Sequence, residues 1–318
     1  MNKCRICCEE ISQIYYVKEM LMGLREVFDY YECGSCGCLQ ISSIPLDLGR
    51  FYPKDYYSLQ SPKIKKTRFI RDYVRKARAL SQIFGTNFLG QIFSIGKAPS
   101  PMNIIYRRIG VQLDHSILDV GGGAGNHVLS MRKLGFNKAM SVDPFIHSDV
   151  MHNGSLLAKK AEIFDLTDRY DLITFHHSLE HMDDQLKILK KAAELIGTEG
   201  RILIRIPTVT SEAWLKYREN WVGLDAPRHL YLHSHKSIRF LAAEARLKIL
   251  DFWNDSEAMQ FWGSEQYLND IPLDDPRSYA KNNKTSIFTN YQIKKFKSQA
   301  VELNKKGSGD WICLVLGN

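Results

Sequence analysis

No stretch of about 18 consecutive apolar residues occurs in the 318-residue chain, so the sequence offers no candidate for a membrane-spanning helix. The opening segment, MNKCRICCEE, also lacks the apolar core of a secretory signal, and the expectation is a cytoplasmic protein. Regularly spaced cysteines are missing too. Six of the seven lie in the first 38 residues and Cys313 stands alone, which excludes a disulfide framework and, in a reducing compartment, points to metal. Internal repeats and low-complexity tracts are absent, so repeat arrays and linker-dominated chains drop out.

What is present is ordinary globular composition, 44% apolar and 25% charged, at a length that carries a prior of about two domains. The net charge of +8 is concentrated. Ser61 to Leu80 holds eight basic residues (Lys63, Lys65, Lys66, Arg68, Arg71, Arg75, Lys76, Arg78) against Asp72 alone. Phe69, Tyr73, Ala77, Leu80 and Phe84 recur at helical spacing, predicting an amphipathic helix with a basic face. That face serves either plain solvation or a phosphate-bearing substrate, RNA or a membrane surface.

Cys4-x-x-Cys7 and Cys33-x-x-Cys36 form two knuckles separated by β-forming sequence (QIYYVKE, VFDYYE). Two thiolate pairs complete the four ligands of tetrahedral Zn²⁺, so these cysteines read as a structural zinc ribbon with no open position for chemistry. Cys8 and Cys38, beside the knuckles, could substitute as ligands, and the favoured reading is that they pack as small apolar residues.

The clearest chemical signal is SILDVGGGAGNHVLSMRKLG. Ile117 to Val120 reads as a buried strand, Gly121, Gly123 and Gly125 as a tight turn, and His127 to Leu134 as a helix stopped by Gly135. Asn126 stands where a dinucleotide fingerprint has glycine. Asp119 is the acid within this strand, and AMSVDPF, about twenty residues on, is a second strand ending in Asp143, placed to accept both hydroxyls of a ribose. RYDLITF, GRILIRIP, KILDFW and DWICLVLG read as further strands; DDQLKILKKAAELIG, capped by Asp183 or Asp184 and closed by Gly197, and HKSIRFLAAEARL read as helices. This alternation predicts an α/β doubly wound sheet with ligands beyond the carboxyl ends of its strands.

ILDVGGGAGN, SVDPF, YDLITFHHSLEHM and GRILIRIP resemble the ordered motifs of class I S-adenosylmethionine-dependent methyltransferases. The resemblance implies a Rossmann-like seven-stranded sheet over residues 113–318, preceded by a zinc ribbon at 1–45 and a helical linker at 46–112, with substrate insertions at about 207–233 and 256–300. It implies S-adenosylmethionine as cofactor, held by Asp119, Gly121, Gly123 and Gly125, with its ribose on Asp143, Glu162 near the adenine and His176 alongside. The ribbon, FYPKDYYS and NWVGLDAPRHLYLHS resemble a bacterial subgroup associated with methylation of sugars and surface polysaccharides, implying a sugar or nucleotide-sugar acceptor.

FHHSLEHM also contains His-x-x-Glu-His, the spacing of one class of zinc peptidase. That reading needs a helix, and the preceding YDLITF is a strand. In the methyltransferase reading His177 is the candidate base and His181 the second, because a neutral imidazole can take a hydroxyl proton during methyl transfer. Two alternatives stand beside it: histidines that only hold the loop, or a divalent cation on His177, Glu180 and His181. In the insertion, Trp214 and Trp221 could stack on a sugar, and Arg228, with His229 beside it, could pair with a phosphate; equally, the tryptophans could be core. RNA methylation and a non-enzymatic zinc-ribbon binding protein are the competing functions.

Overall fold

A computed structural model describes residues 3–52, 58–62, 69–86 and 88–318. Lys63, Lys65, Lys66 and Arg68 of the basic segment, and most of FYPKDYYS, lie outside the described residues. In chain order, β1 (Ile11–Lys18), β2 (Val27–Cys33) and β3 (Leu39–Ile41) are followed by helices α1 (Phe69–Phe84), α2 (Phe88–Ser94) and α3 (Pro101–Ile109). Next come β4 (Ile117–Val120), α4 (Asn126–Leu134), β5 (Ala139–Val142), β6 (Val150–His152), β7 (Ser155–Lys159) and β8 (Tyr170–His176). The chain continues with α5 (Gln185–Leu195), β9 (Ile196–Pro207), α6 (Glu212–Tyr217), β10 (Tyr231–Leu232), α7 (His235–Glu244) and β11 (Lys248–Asn254). It closes with α8 (Met259–Leu268), α9 (Asn290–Lys306) and β12 (Trp311–Gly317). Among the described residues no helix is long and apolar enough to cross a membrane.

The larger sheet has eight strands in the order β11-β12-β9-β8-β4-β5-β7-β6. Strand β4 pairs in parallel with both β5 and β8, and its four residues, ILDV, are all buried, as a strand covered on both faces requires. One strand more than expected arises because the segment before GSLLAK folds back as a hairpin: β6 pairs antiparallel with β7 and forms the sheet edge. The third strand of the expected order is β7. Asp184 caps α5, its Oδ1 accepting the Lys187 N–H at 3.2 Å. Gly197 does not close that helix; it is the second residue of β9, which begins directly after Leu195.

The chain divides into two compact units. The first comprises Met1–Lys54, His176–Ala193 and Leu203–Asn318; the second comprises Asp55–Phe175 and Glu194–Ile202. In the second, α1 buries Ala77, Ala79 and Ile83 and exposes Arg71, Arg75 and Lys76, so the amphipathic helix forms with its basic face in solvent. Tyr73, expected on the apolar face, is 50% exposed. Helix α2 crosses α1 closely at Gly90, where a Cβ would lie 2.1 Å from the Ala77 carbonyl oxygen.

In the first unit β1, β2 and β3 form an antiparallel meander, and β10 joins it through Tyr231↔Gln40 and Leu232↔Leu39. The strand that completes this sheet therefore comes from the insertion after β9. One core contains Cys33, Cys36 and Tyr30 together with Trp214, Trp221 and Leu232, so the cysteine-bearing segment and the insertion bury each other's apolar surface.

Candidate functional site

In the second unit, β4 runs into a loop with left-handed backbone at Gly121, Gly123 and Gly125 (φ 72°, 57° and 85°), and α4 starts at Asn126. Glycine is needed here for space as well as conformation. A Cβ on Gly123 would lie 2.0 Å from the Ser58 carbonyl oxygen, which accepts the Ala124 N–H at 2.7 Å. A Cβ on Gly122 would lie 2.4 Å from Asp119 Oδ2. Asp119 is buried and accepts the Thr174 hydroxyl at 2.6 Å; burial raises its pKa, against the pull of His127 and Thr174. Asp143, just past β5, accepts the Gly123 N–H at 2.9 Å on Oδ2 and the Phe145 N–H at 2.8 Å on Oδ1. Burial lifts its pKa, while these two N–H groups oppose the rise.

A carboxylate offers about four acceptor sites, so Asp143, fixed by two backbone donors, keeps capacity for the hydroxyls of a ribose. The cradle of side-chain-free backbone beside Asp119 and Asp143 fits S-adenosylmethionine. Glu162 is exposed, and its backbone N–H donates to Asp165 Oδ2 at 2.9 Å at the start of a 3₁₀ turn.

In the first unit, the chain leaves β8 at His176, whose Nε2 lies 3.4 Å from Arg205 Nη1. His177 turns the backbone through φ 51°, an unusual conformation for a non-glycine residue, and its N–H donates to the Arg205 carbonyl at 2.9 Å. Leu179–His181 is a 3₁₀ turn, so the His-x-x-Glu-His spacing is not on an α-helix as the peptidase motif requires. The His177 ring meets Trp311 edge-on at 4.6 Å, Nδ1 is 3.6 Å from Glu180 Oε1, and Nε2 is buried without a hydrogen-bond partner among the described residues.

His181 Nδ1 lies 2.9 Å from the Arg228 carbonyl, and His229 Nδ1 lies 2.8 Å from the Gly223 carbonyl. Each carbonyl can only accept, so each ring carries its proton on Nδ1. His229 Nε2 is 3.6 Å from Asp225 Oδ2 and 4.0 Å from Glu180 Oε1. Asp225 pairs with Arg228, and Tyr30 donates its hydroxyl to the His229 carbonyl at 2.7 Å. Burial, aided by His229, pushes the His181 pKa down to about 4. Burial alone would raise the Glu180 pKa, but His177, His181 and His229 together bring it below the ordinary value. Arg228 and the two histidines do the same for Asp225.

The structure thus gathers His177, Glu180, His181, Arg228 and His229 into one buried polar cluster. It adds Asp225 and Tyr30, which sequence reasoning passed over; Asp225 stands in GLDAPRH, where aromatic density drew attention to its neighbours. Trp214 and Trp221 are a correction. At 2% and 0% exposure they are core, packed 6.1 Å apart between ring centroids, and present no face to a sugar. Arg228 is likewise buried and committed to Asp225 instead of standing ready for a phosphate.

The four knuckle cysteines converge. One sulfur from each of Cys4, Cys7, Cys33 and Cys36 lies within 4.8 Å of the others, with Cys4–Cys36 at 3.6 Å and Cys7–Cys33 at 3.4 Å. A tetrahedron with Zn–S bonds of about 2.3 Å has edges of about 3.8 Å, so this spacing fits zinc and is too long for disulfides. The Cys4 sulfur accepts the Ile6 N–H at 3.3 Å and the Gln40 amide at 2.8 Å, contacts that favour a thiolate. The knuckles match position for position: Cys8 N–H donates to the Cys4 carbonyl and Gly37 N–H to the Cys33 carbonyl, and Cys8 and Gly37 share left-handed φ of 62° and 69°. Cys38 is fully buried as expected, but Cys8 is exposed, because its knuckle turns it outward.

A family model described as a methyltransferase domain matches residues 71–251, more than half of the chain. The ubiquinone biosynthesis O-methyltransferase of Serratia proteamaculans (strain 568) is 27% identical over 129 residues, 37% of this chain and 53% of that protein. The chain therefore spans about half the length of that curated relative. A SAM dependent methyltransferase from Archaeoglobus fulgidus aligns at 16% identity and TM-score 0.40, covering 72% of this chain and 99% of its own. A cyclopropane synthase from Mycobacterium tuberculosis aligns at 11% identity and TM-score 0.42, covering 86% and 95%. At these TM-scores the structural likenesses add nothing to the family match. With more than half its length matched by the methyltransferase domain, this chain belongs to the class I S-adenosylmethionine-dependent methyltransferases.

Proposed function

We propose that the enzyme methylates a hydroxyl of a small, polar, polyhydroxylated acceptor, a sugar or nucleotide sugar, and that His177 is the base. The observation that carries this reading is the His177 ring: Nδ1 faces Glu180 at 3.6 Å while Nε2 is buried with no hydrogen-bond partner among the described residues. Asp119, Gly121, Gly123 and Gly125 would hold S-adenosylmethionine, with Asp143 on the ribose. The bound cofactor supplies an already activated methyl group, so the protein has to position the acceptor and remove its proton. His177 Nε2 takes the hydroxyl proton, and Glu180 favours the imidazolium that results. The left-handed backbone at His177, held by its N–H bond to Arg205, fixes the ring for this task.

A sugar is favoured over an apolar acceptor by the polar groups about His177, with the buried Glu180 and His229 beside it, groups suited to hydroxyl recognition. Cys4, Cys7, Cys33 and Cys36 would hold a structural zinc, and the working compartment is the cytoplasm.

Turnover of a panel of nucleotide sugars with S-adenosylmethionine, compared between wild type and His177→Gln, tests both parts. His177→Gln is expected to lower kcat about 10²–10⁴-fold with unchanged cofactor affinity. Full kcat in that variant would remove His177 as base; methylation of RNA but not of any sugar would remove the acceptor class.

A further inference from the structure

Glu180 is more deeply buried than an orienting carboxylate needs to be. Its side chain is 1% exposed and, among the described residues, neither oxygen has a hydrogen-bond partner; His177 Nδ1 at 3.6 Å and His229 Nε2 at 4.0 Å are beyond hydrogen-bond reach. An ionised carboxylate in that position is strongly disfavoured unless a cation compensates it. Close by, His181 and His229 both give Nδ1 to a backbone carbonyl, at 2.9 Å and 2.8 Å, which leaves a lone pair on Nε2 of each ring. Metal-ligating histidines are oriented and held in one tautomer in this way. One ligand atom from each of Glu180, His181 and His229 lies within 4.8 Å of the other two.

We propose that Glu180, His181 and His229 form a divalent metal site of the two-imidazole, one-carboxylate kind, suited to Zn²⁺ or a similar first-row ion. Glu180 and His181 are neighbours in one 3₁₀ turn, and His229 arrives from the insertion after β9, its carbonyl held by Tyr30. Metal–ligand bonds of about 2.1 Å in a tetrahedron require edges of about 3.4 Å, so the 4.0 Å between His229 and Glu180 would close by roughly half an ångström. Asp225, already balanced by Arg228, leaves the ion's second charge unneutralised. Three protein ligands leave a coordination position for an oxygen of a bound molecule, a hydroxyl or carboxylate. The site stands on the first unit alone and does not depend on which acceptor is methylated. It differs from the metal reading of the motif in taking His229 in place of His177.

Cobalt titration of the full-length, metal-stripped protein separates this site from the thiolate cluster, because only the cluster gives sulfur-to-metal charge-transfer absorption. The expected result is about two equivalents bound, one with and one without thiolate absorption. His229→Ala and Glu180→Gln should each retain the thiolate band and lose the second equivalent. A single equivalent in wild type, or a second equivalent surviving in both variants, overturns the proposal. Should both variants misfold, pulsed EPR of Cu²⁺ added to wild type carrying one equivalent of zinc, which the four thiolates take, decides: two coupled imidazole nitrogens support the site, and none overturns it.

Discussion

Asp310 carries its carboxyl into the core of the first unit. Its Oδ2 accepts the Trp221 indole N–H at 3.1 Å, its Oδ1 is buried without a hydrogen-bond partner among the described residues, and burial lifts its pKa to about 7. The folded protein therefore binds this proton more tightly than the unfolded chain, whose aspartates titrate near 3.9. Its contribution to stability is fully present below about pH 4 and is lost as pH rises through about 7. Asp310→Asn keeps an acceptor for Trp221 and removes the titration. Urea unfolding at pH 5 and pH 8 should show wild type losing on the order of 1–3 kcal/mol more than the variant over that interval; equal losses would place the proton elsewhere. Asp143→Ala is the matching residue-scale test in the second unit. It should weaken S-adenosylmethionine binding by about tenfold or more in calorimetry, because a carboxylate fixed by two backbone donors would be lost from the ribose.

At the scale of elements, the β4–α4 loop is defined by what cannot be added to it. Gly123→Ala combines a φ of 57° with a Cβ placed 2.0 Å from the Ser58 carbonyl, so the loop or the Ser58 segment must move. The expected outcome is about 1–3 kcal/mol lower stability by thermal melting together with at least tenfold weaker cofactor binding. Unchanged affinity would separate this glycine from the cofactor. The loop's order in sequence, strand, three glycines, helix, was legible because each of its parts is local. The histidine turn after β8 was legible as a motif but not as a geometry. His-x-x-Glu-His reads the same on a helix or on a 3₁₀ turn, and only the preceding strand separates the two.

At the scale of the molecule, Cys33 and Cys36 share a core with Trp214 and Trp221 of the insertion, which makes the four-cysteine cluster part of the first unit's interior. The edge-on contact of Tyr15 and Trp214 at 5.0 Å lies in the same layer. Chelation of zinc, or Cys4→Ser, should therefore change tryptophan emission and lower the first unit's melting transition. A separately folded ribbon would instead lose zinc with tryptophan emission unchanged. The same arrangement turns Trp214 and Trp221 from expected sugar platforms into packing: the β3–β10 pairing places them where apolar area is buried and not where a ligand would stack.

What the amino-acid sequence determined by itself was whatever rests on short spacing: the two Cys-x-x-Cys knuckles, the glycine loop after a buried strand, and Asp143 about twenty residues on. These are features of one or two adjacent elements, and their backbone requirements are written in glycine, cysteine and apolar runs. The tertiary structure alone decided the company kept by Glu180. His229 reaches it from a distant part of the chain, with Asp225 beside the His229 ring and Tyr30 on the His229 carbonyl, because β10 pairs with β3 and draws the insertion down onto the meander. No local pattern encodes that pairing, since its two residues, Tyr231 and Leu232, become a strand only when the edge of another sheet supplies their hydrogen-bond partners.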